Sequence, residues 1–398
     1  MMKKLVLFGA GRIGRSFIGQ LFSRSGFEVV FVDINESLIN ELNLSNHYDV
    51  IIKSEHPDEV IRVNGVRGVS VREEETVTEE LADANIAAVS VGQKGFPDVI
   101  AAIAKGLKHR MERSSDRPLD IILAENVRNA SQLAKNILID ILGNDYPIDK
   151  LVGLIETSIG KMVPIIPIDV QERDPLLVYA EPYNTLIVDE KAFKNPIPEV
   201  EGLAPKENIQ AWVDRKSYIH NFGHAAAAYL GFLTDPSAFY LADILEIPAV
   251  MEFTREAMLE SADILKAKYP GEFTAGDLTD HIDDLLHRFK NRALGDTVFR
   301  VGCDLKRKLH RNDRIMGPLI DGIHTGSKVD KILVTFANGL RFRAVDETGK
   351  HFPGDLEFSE TLHSKGLRYV LCNICELEPD GDSEVIRRII AATLNGKQ

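Results

Sequence analysis

The chain is poor in cysteine, in long apolar runs and in positive charge, and each shortage removes a class of protein. Three Cys stand among 398 residues, at Cys303, Cys372 and Cys375. So sparse and odd a set makes no disulfide framework and points to a reducing compartment. No stretch approaches the ~18 consecutive apolar residues of a spanning helix. Leu5–Phe8 follows Lys3 and Lys4, but it is too short for the core of a secretory signal and Arg12 soon interrupts it. With 47 Lys+Arg against 60 Asp+Glu the net charge is −13, the wrong sign for a general nucleic-acid binder, which must displace counterions with a basic surface. No internal repeat or low-complexity tract stands out. What remains is 44% hydrophobic and 27% charged, the composition of a soluble globular protein long enough for two domains. The expectation is a cytoplasmic protein with neither a nucleic-acid nor a membrane partner.

The N-terminal part alternates short apolar runs with helical stretches. Strands are expected at 5–8, 28–33, 86–91, 119–124 and 152–157, with helices between them, notably near 96–113 and 127–143. That alternation implies parallel pairing through right-handed crossovers, hence an α/β, Rossmann-type, doubly wound parallel sheet. The stretch 48–71 reads as additional strands or an excursion. A strand-like run over 176–189 precedes a Pro-rich stretch, Asn195 to Pro205, that reads as a linker. Beyond it come helical periodicities at 207–232, 236–246, 248–268, 276–290 and 366–377. The division expected is a nucleotide-binding domain over 1–195 and a mostly α-helical substrate domain over 196–398.

The first motif with chemistry in it is Gly9-Ala10-Gly11-Arg12-Ile13-Gly14, placed between a strand and a helix. In such a run the first glycine makes the tight turn, the second lets the backbone approach a pyrophosphate, and the third allows close helix packing. Helix-start N–H groups then face the phosphates, which makes Gly9, Gly11, Arg12, Ile13 and Gly14 candidate cofactor contacts. Asp33 ends the next strand 19 residues after Gly14, where a carboxylate receives the adenosine ribose hydroxyls. It would repel a 2′-phosphate, and Ile34-Asn35 offers no Arg to receive one, so NAD is favoured over NADP. A structural glycine turn, or a flavin or other adenosine ligand on the same fold, stays open. Val91 and Gly92, after the fourth expected strand, leave room for a cofactor. Asn126, after the fifth, could hold a ribose or substrate oxygen or could cap the next helix.

In the second half Lys216-Ser217-Tyr218-Ile219-His220-Asn221-Phe222-Gly223-His224 is the most informative segment. At ~100° per residue, Lys216, His220, His224 and Asn221 fall near roughly 0°, 40°, 80° and 140°, on one side of a helix. A desolvated Lys there could act as a general base, and Asn and His could hold a developing alkoxide or a carbonyl oxygen. The residues alone equally describe a solvated polar face.

Lys216-x-x-x-x-Asn221-x-x-His224 resembles the signature of the polyol-specific long-chain (mannitol dehydrogenase) family. So do Phe8 to Gly19, Glu125-Asn126, Arg215-Lys216, Gly223-His224-Ala225, and the run from Arg300-Val301-Gly302 through Arg307-Lys308-Leu309 to Asp313-Arg314. The likeness covers nearly the whole chain and weakens after about 330; it is greatest toward members that act on a polyol phosphate. The resemblance implies a zinc-independent, NAD-dependent interconversion of a polyol and a ketose, here mannitol 1-phosphate and fructose 6-phosphate, with no metal. It implies Lys216 as the acid/base, Asn221 and His224 as holders of the reacting oxygen, and Asn126 as their support. Members acting on free mannitol or on hexuronates (tagaturonate, fructuronate) are alternatives, and an NAD sensor without chemistry is another. One departure stands out: Lys161-Met162 precedes Val163-Pro164 where the family commonly has Asp-Arg, and this could favour a more anionic substrate.

For a phosphate, residues 300–314 carry six Lys and Arg against two Asp, and Arg forks suit phosphate oxygens. Arg300, Arg307 and Lys308 are the candidates; a solvated basic face is the plainer reading. Cys372-Asn373-Ile374-Cys375 lacks a second ligand pair and lies in an apolar pattern, so core thiols are expected. His220 and His224 have zinc spacing but no third ligand. The Glu73–Glu75 and Glu79-Glu80 groups read as solvated surface.

Overall fold

The computed structural model describes residues 3–114 and 117–395, which form two compact units that divide after Trp212. The first is built on eleven strands: β1 (Lys3–Phe8), β2 (Phe27–Asp33), β3 (His47–Ile52), β4 (Glu59–Asn64), β5 (Val66–Ser70), β6 (Ile86–Val89), β7 (Leu119–Leu123), β8 (Val152–Ser158), β9 (Val178–Ala180), β10 (Leu186–Asp189) and β11 (Leu203–Lys206). Eight of them make one sheet in the order β11-β10-β8-β7-β6-β1-β2-β5. From β5 to β8 every neighbouring pair is parallel; β10 joins β8 antiparallel, and β11 runs parallel to β10. This is the Rossmann-type architecture expected.

The central strands are mostly apolar, as in Leu5–Phe8 and Ile86–Val89, because both faces are covered. On one face Leu5 and Leu7 of β1 pack with Phe17, Ile18 and Phe31; on the other Val6 and Phe8 pack with Val77, Leu81, Ile100 and Ile103. The chain leaves β1 toward β2 and later returns to β6 on the other side of β1. Order therefore reverses between β1 and β6, and a crevice opens there outside the carboxyl ends of the strands. Register fixes what meets at that crevice: Phe8 pairs with Val32 and with Val89, and Val89 with Leu123. The loops that begin at Gly9, Asp33, Ser90 and Ala124 thus start side by side.

The stretch 48–71 supplies both things the sequence allowed. Its last strand, β5, extends the main sheet, while β3 and β4 pair antiparallel and join β9 in a separate three-stranded sheet. The run 176–189 is not one strand: Pro182 interrupts it, and β9 and β10 go to different sheets. The expected linker and the change of domain at 195/196 differ from what is seen. Leu203–Lys206 adds β11 to the sheet edge, where Pro205 is tolerated because an edge strand can spare a donor. The chain accordingly stays with the first unit through Trp212.

The second unit is helical. Its first helical run, from Val213 on, ends in Phe222–Thr234, whose Phe222, Ala225–Ala228 and Tyr229 are buried. The run of alanines keeps this segment thin, so Leu241–Leu245, Pro248–Lys268, Val298–Gly302 and Asp330–Gly339 all pack against it. Thr274 and Asp277 form a reciprocal capping box that starts Ala275–Phe289. Helices Met316–Thr325, Pro353–Lys365 and Ser383–Asn395 complete the unit.

Candidate active site

At the β1/β6 crevice the glycine run has the geometry its spacing predicts. Gly9 sits at φ +98°, a left-handed conformation, and a Cβ there would lie 2.1 Å from Ser90 O. A Cβ on Gly14 would lie 2.0 Å from Gly9 O, so only glycine lets the helix over 12–24 start this close to the turn. Gly11 differs: a Cβ there would meet nothing within 4 Å. Both Gly11 and Arg12 are exposed, with Ile13 half-buried. That bare backbone before a helix start is the surface a pyrophosphate needs, and it fits a dinucleotide.

The carboxylate of Asp33 pins this loop. Its Oδ2 accepts the Ala10 N–H (2.6 Å) and its Oδ1 the Asn35 N–H (2.9 Å). A carboxylate has about four lone-pair sites, so capacity for ribose hydroxyls remains. Arg15, which the motif did not single out, is buried and braces the same loop: its Nε donates to Ala10 O (2.8 Å) and its guanidinium also to Pro175 O and Leu176 O. Burial lowers its pKa.

Glu125 has a similar task at the next loop. The N–H groups of Val91 and Gly92 both donate to its Oε1, at 2.6 and 2.8 Å, so these two donors are already engaged within the protein. Burial raises the Glu125 carboxyl, against those two hydrogen bonds. Asn126 is exposed and does not cap the following helix, because Asn129 holds that position before Ala130–Leu142. Lys161 is buried, with its ammonium donating to Tyr183 O and Asn184 Oδ1, both at 2.8 Å.

In the second unit the lysine segment is a π-helix over Lys216–Asn221, set inside the longer α-helix. The Phe222 N–H is shared between Ile219 O and Ser217 O, the latter a bond of the i→i+5 kind. An extra residue is thereby taken into the turn. Asn221, five residues after Lys216, comes round toward the line of Lys216 instead of lying ~140° away as in a regular helix. Periodicity assumes a uniform helix and could not show this.

Lys216 is partly covered. Desolvation, reinforced by the charge of Arg314 and partly offset by Asp313, pulls its ammonium down to about 8. His220 and His224 are held well below the ordinary imidazole value, chiefly by burial and then by surrounding cations; for His224 these include Arg314, Arg300, Arg288 and Lys308. Both rings are thus neutral near pH 7. They pack rather than splay as a metal pair: their centroids are 5.0 Å apart, and His224 stacks on Phe289 at 3.7 Å. His224 Nε2 lies 4.0 Å from Asp296 Oδ2 and is buried without a hydrogen-bond partner among the described residues. An unmet buried nitrogen is costly unless something arrives to meet it.

The basic stretch 300–314 is far less basic in three dimensions. Arg300 pairs with Asp296, Lys306 with Glu357, Arg307 with Asp304, Arg311 with Asp382 and Arg314 with Asp313. Lys308 is buried with Nζ on Val301 O at 2.6 Å, and burial brings it down to about 7. Burial would raise Asp313, but the charge and hydrogen bonds of Arg314, with Arg307, hold it below the usual carboxylate range. Arg300 and Arg307 keep about half of their side-chain surface exposed, at 45% and 53%. Cys375 is buried and pushed up to about 12 by that burial. Among the described residues no group of three or more His, Cys, Asp or Glu is arranged to hold a metal, and no helix is long and apolar enough to cross a membrane.

Comparison with known proteins adds sequence and fold relatives. Residues 3–202 match the mannitol dehydrogenase Rossmann domain and residues 208–368 the mannitol dehydrogenase C-terminal domain. Among solved structures, mannitol 2-dehydrogenase from Pseudomonas fluorescens, in a ternary complex with NAD and D-mannitol, superposes with a TM-score of 0.76 at 16% identity, covering 99% of this chain and 91% of that one. An octopine dehydrogenase (TM-score 0.49, 12% identity, 92% and 98% covered) is a more distant match. So is a ketopantoate reductase from Ralstonia eutropha (0.48, 12%, 84% and 97%).

Proposed function

Because the chain belongs to the mannitol dehydrogenase family, we propose that it is a mannitol-1-phosphate 5-dehydrogenase, interconverting mannitol 1-phosphate and fructose 6-phosphate with NAD. The observation that carries the chemistry is the lysine turn: a desolvated Lys216 lowered to about 8, on one π-turn with Asn221 and followed by a neutral His224 with an unmet Nε2. The cofactor, when bound, supplies the hydride acceptor or donor; the chain supplies alignment and proton transfer.

The bare backbone at Gly11–Arg12, with Ile13 and the close turns at Gly9 and Gly14, takes the pyrophosphate. Asp33 takes the ribose hydroxyls, and Val91 and Gly92 lie along the cofactor. Lys216 in its neutral form removes the alcohol proton during oxidation, and as ammonium it protonates the carbonyl oxygen during reduction. The Asn221 amide and the His224 Nε2, in the tautomer that carries its proton there, hold that oxygen. Asn126 is assigned to a ribose or substrate oxygen. Arg300 and Arg307 are assigned to the phosphate, using donors of the guanidinium fork beyond those spent on Asp296 and Asp304. Lys308, the third candidate, is buried with its ammonium on Val301 O and is not assigned to the phosphate. The cytoplasm is the assigned compartment.

The test is NADH oxidation with fructose 6-phosphate, fructose, tagaturonate and fructuronate side by side. Fructose 6-phosphate should turn over fastest. Faster turnover of free fructose would make the protein a mannitol 2-dehydrogenase, and of a uronate a hexuronate reductase. NADH binding without turnover of any of them would make it a sensor.

A further inference from the structure

The π-turn needs a cause, because a residue gained in the turn misaligns the backbone hydrogen bonds around it. In a regular α-helix the Phe222 N–H would go to Tyr218 O; here it is shared between Ser217 O and Ile219 O, on either side of that carbonyl. The Tyr218 carbonyl is then met from another helix: Ser261 Oγ, in Pro248–Lys268, donates to it at 2.7 Å. Ser261 has no exposed surface. A serine inside a helix ordinarily bonds back to its own i−4 carbonyl, so a hydroxyl committed to a neighbouring helix marks a specific acceptor there.

The other end of Tyr218 is held as firmly. Its hydroxyl donates to Asp321 Oδ2 (2.5 Å) and lies 3.2 Å from Lys268 Nζ, which also donates to Asp321 Oδ2 (2.8 Å) and to Asp214 Oδ2 (2.9 Å). Asp214, two residues before Lys216, is 1% exposed and also accepts from Tyr269 Oη (2.7 Å). One ammonium therefore ties the residue before the turn, Asp214, to the residue at its centre, Tyr218.

We propose that Tyr218, gripped at its carbonyl by Ser261 and at its hydroxyl by Asp321 and Lys268, is the positioning residue that keeps Lys216–Asn221 in the i→i+5 form and so brings Asn221 to the side of Lys216. The inference rests on the reading of Lys216 and Asn221 given above, and it goes beyond that reading by naming what sets their alignment. None of the three gripping residues, Ser261, Asp321 and Lys268, needs to touch a substrate. Two contacts on one residue, from two further helices, make the turn a fixed feature rather than a fluctuation.

The variants Ser261→Ala and Tyr218→Phe each remove one grip while keeping the fold-filling bulk, so failure of one to fold leaves the other. Crystal structures of both are read for the partner of the Phe222 N–H, together with kcat and KM for fructose 6-phosphate and NADH. The expected result is that this N–H returns to Tyr218 O in Ser261→Ala, Asn221 rotates away, and kcat falls on the order of 100-fold as for other ångström-scale misplacements, with KM for NADH unchanged. A π-turn that persists in both variants overturns the proposal at any level of activity. A turn that relaxes while turnover is kept supports the grip and refutes instead the role given to Asn221.

Discussion

A buried ammonium costs stability unless something answers its charge, and Lys216 is answered only in part. Desolvation is the main cause of its fall to about 8, and Arg314 adds to it while Asp313 opposes it. In the unfolded chain the same group titrates near ~10.4. Between those values the unfolded chain holds a proton that the native one has lost, so stability rises with pH through that window. Below about 8 both states are protonated, and the full cost of the buried charge is present. Lys216→Met should therefore raise the melting temperature at pH 7, and the gain should fade as the pH climbs toward ~10. The same change should lower kcat/KM for mannitol 1-phosphate oxidation by ~10²–10⁴ and erase a rising limb centred near 8 in the wild-type pH profile. A variant that loses stability at pH 7, or keeps the limb, would show that Lys216 is a packing residue. The type and order of these residues were legible in sequence; the protonation of Lys216 was not, because it depends first on burial in the folded chain and then on Arg314 and Asp313, nearly a hundred positions away.

At the scale of elements, the glycine run separates what the fold needs from what a ligand needs. Gly14 is required by the protein itself, since a Cβ would strike Gly9 O at 2.0 Å, whereas a Cβ on Gly11 would meet nothing within 4 Å. Gly14→Ala should lower the melting temperature by several degrees, a backbone clash being among the larger single-residue effects. Gly11→Ala should melt like the wild type yet bind NADH at least ~10-fold more weakly, having lost close backbone approach. Equal stability loss in both would argue that the run is only a structural turn. The strands around this run could be read because parallel strands buried on both faces leave continuous apolar runs, as in Leu5–Phe8 and Ile86–Val89. The two π-segments, Gly14–Gly19 and Lys216–Asn221, could not. A single inserted residue does not disturb composition, and the Ser261 hydroxyl that donates to the Tyr218 carbonyl lies in another helix. β11 was missed for a related reason: Pro205 reads as a chain break, and only its place at the sheet edge makes it compatible with a strand.

The net charge of −13 poses a question for the whole molecule, since the proposed substrate is itself an anion. From sequence the excess of Lys and Arg at 300–314 looked like a local exception that would draw a phosphate in. Folding removes most of that excess, because Asp296, Asp304, Asp313, Glu357 and Asp382 each take up one of its cations. Three of those carboxylates lie outside the stretch, which is why counting charges along the chain overstated the field. Preference for a phosphorylated substrate must then come from directional donors at contact distance, such as the half-exposed forks of Arg300 and Arg307, and not from long-range attraction. Salt distinguishes the two. Between about 0.05 and 0.5 M the screening length shrinks from roughly 14 to 4 Å, which weakens attraction across solvent far more than a hydrogen-bonded contact. The ratio of kcat/KM for fructose 6-phosphate over fructose should therefore change by less than about threefold across that range. A ratio that collapses as salt rises would reveal a bare positive field at the site and would move the phosphate contacts away from these paired arginines.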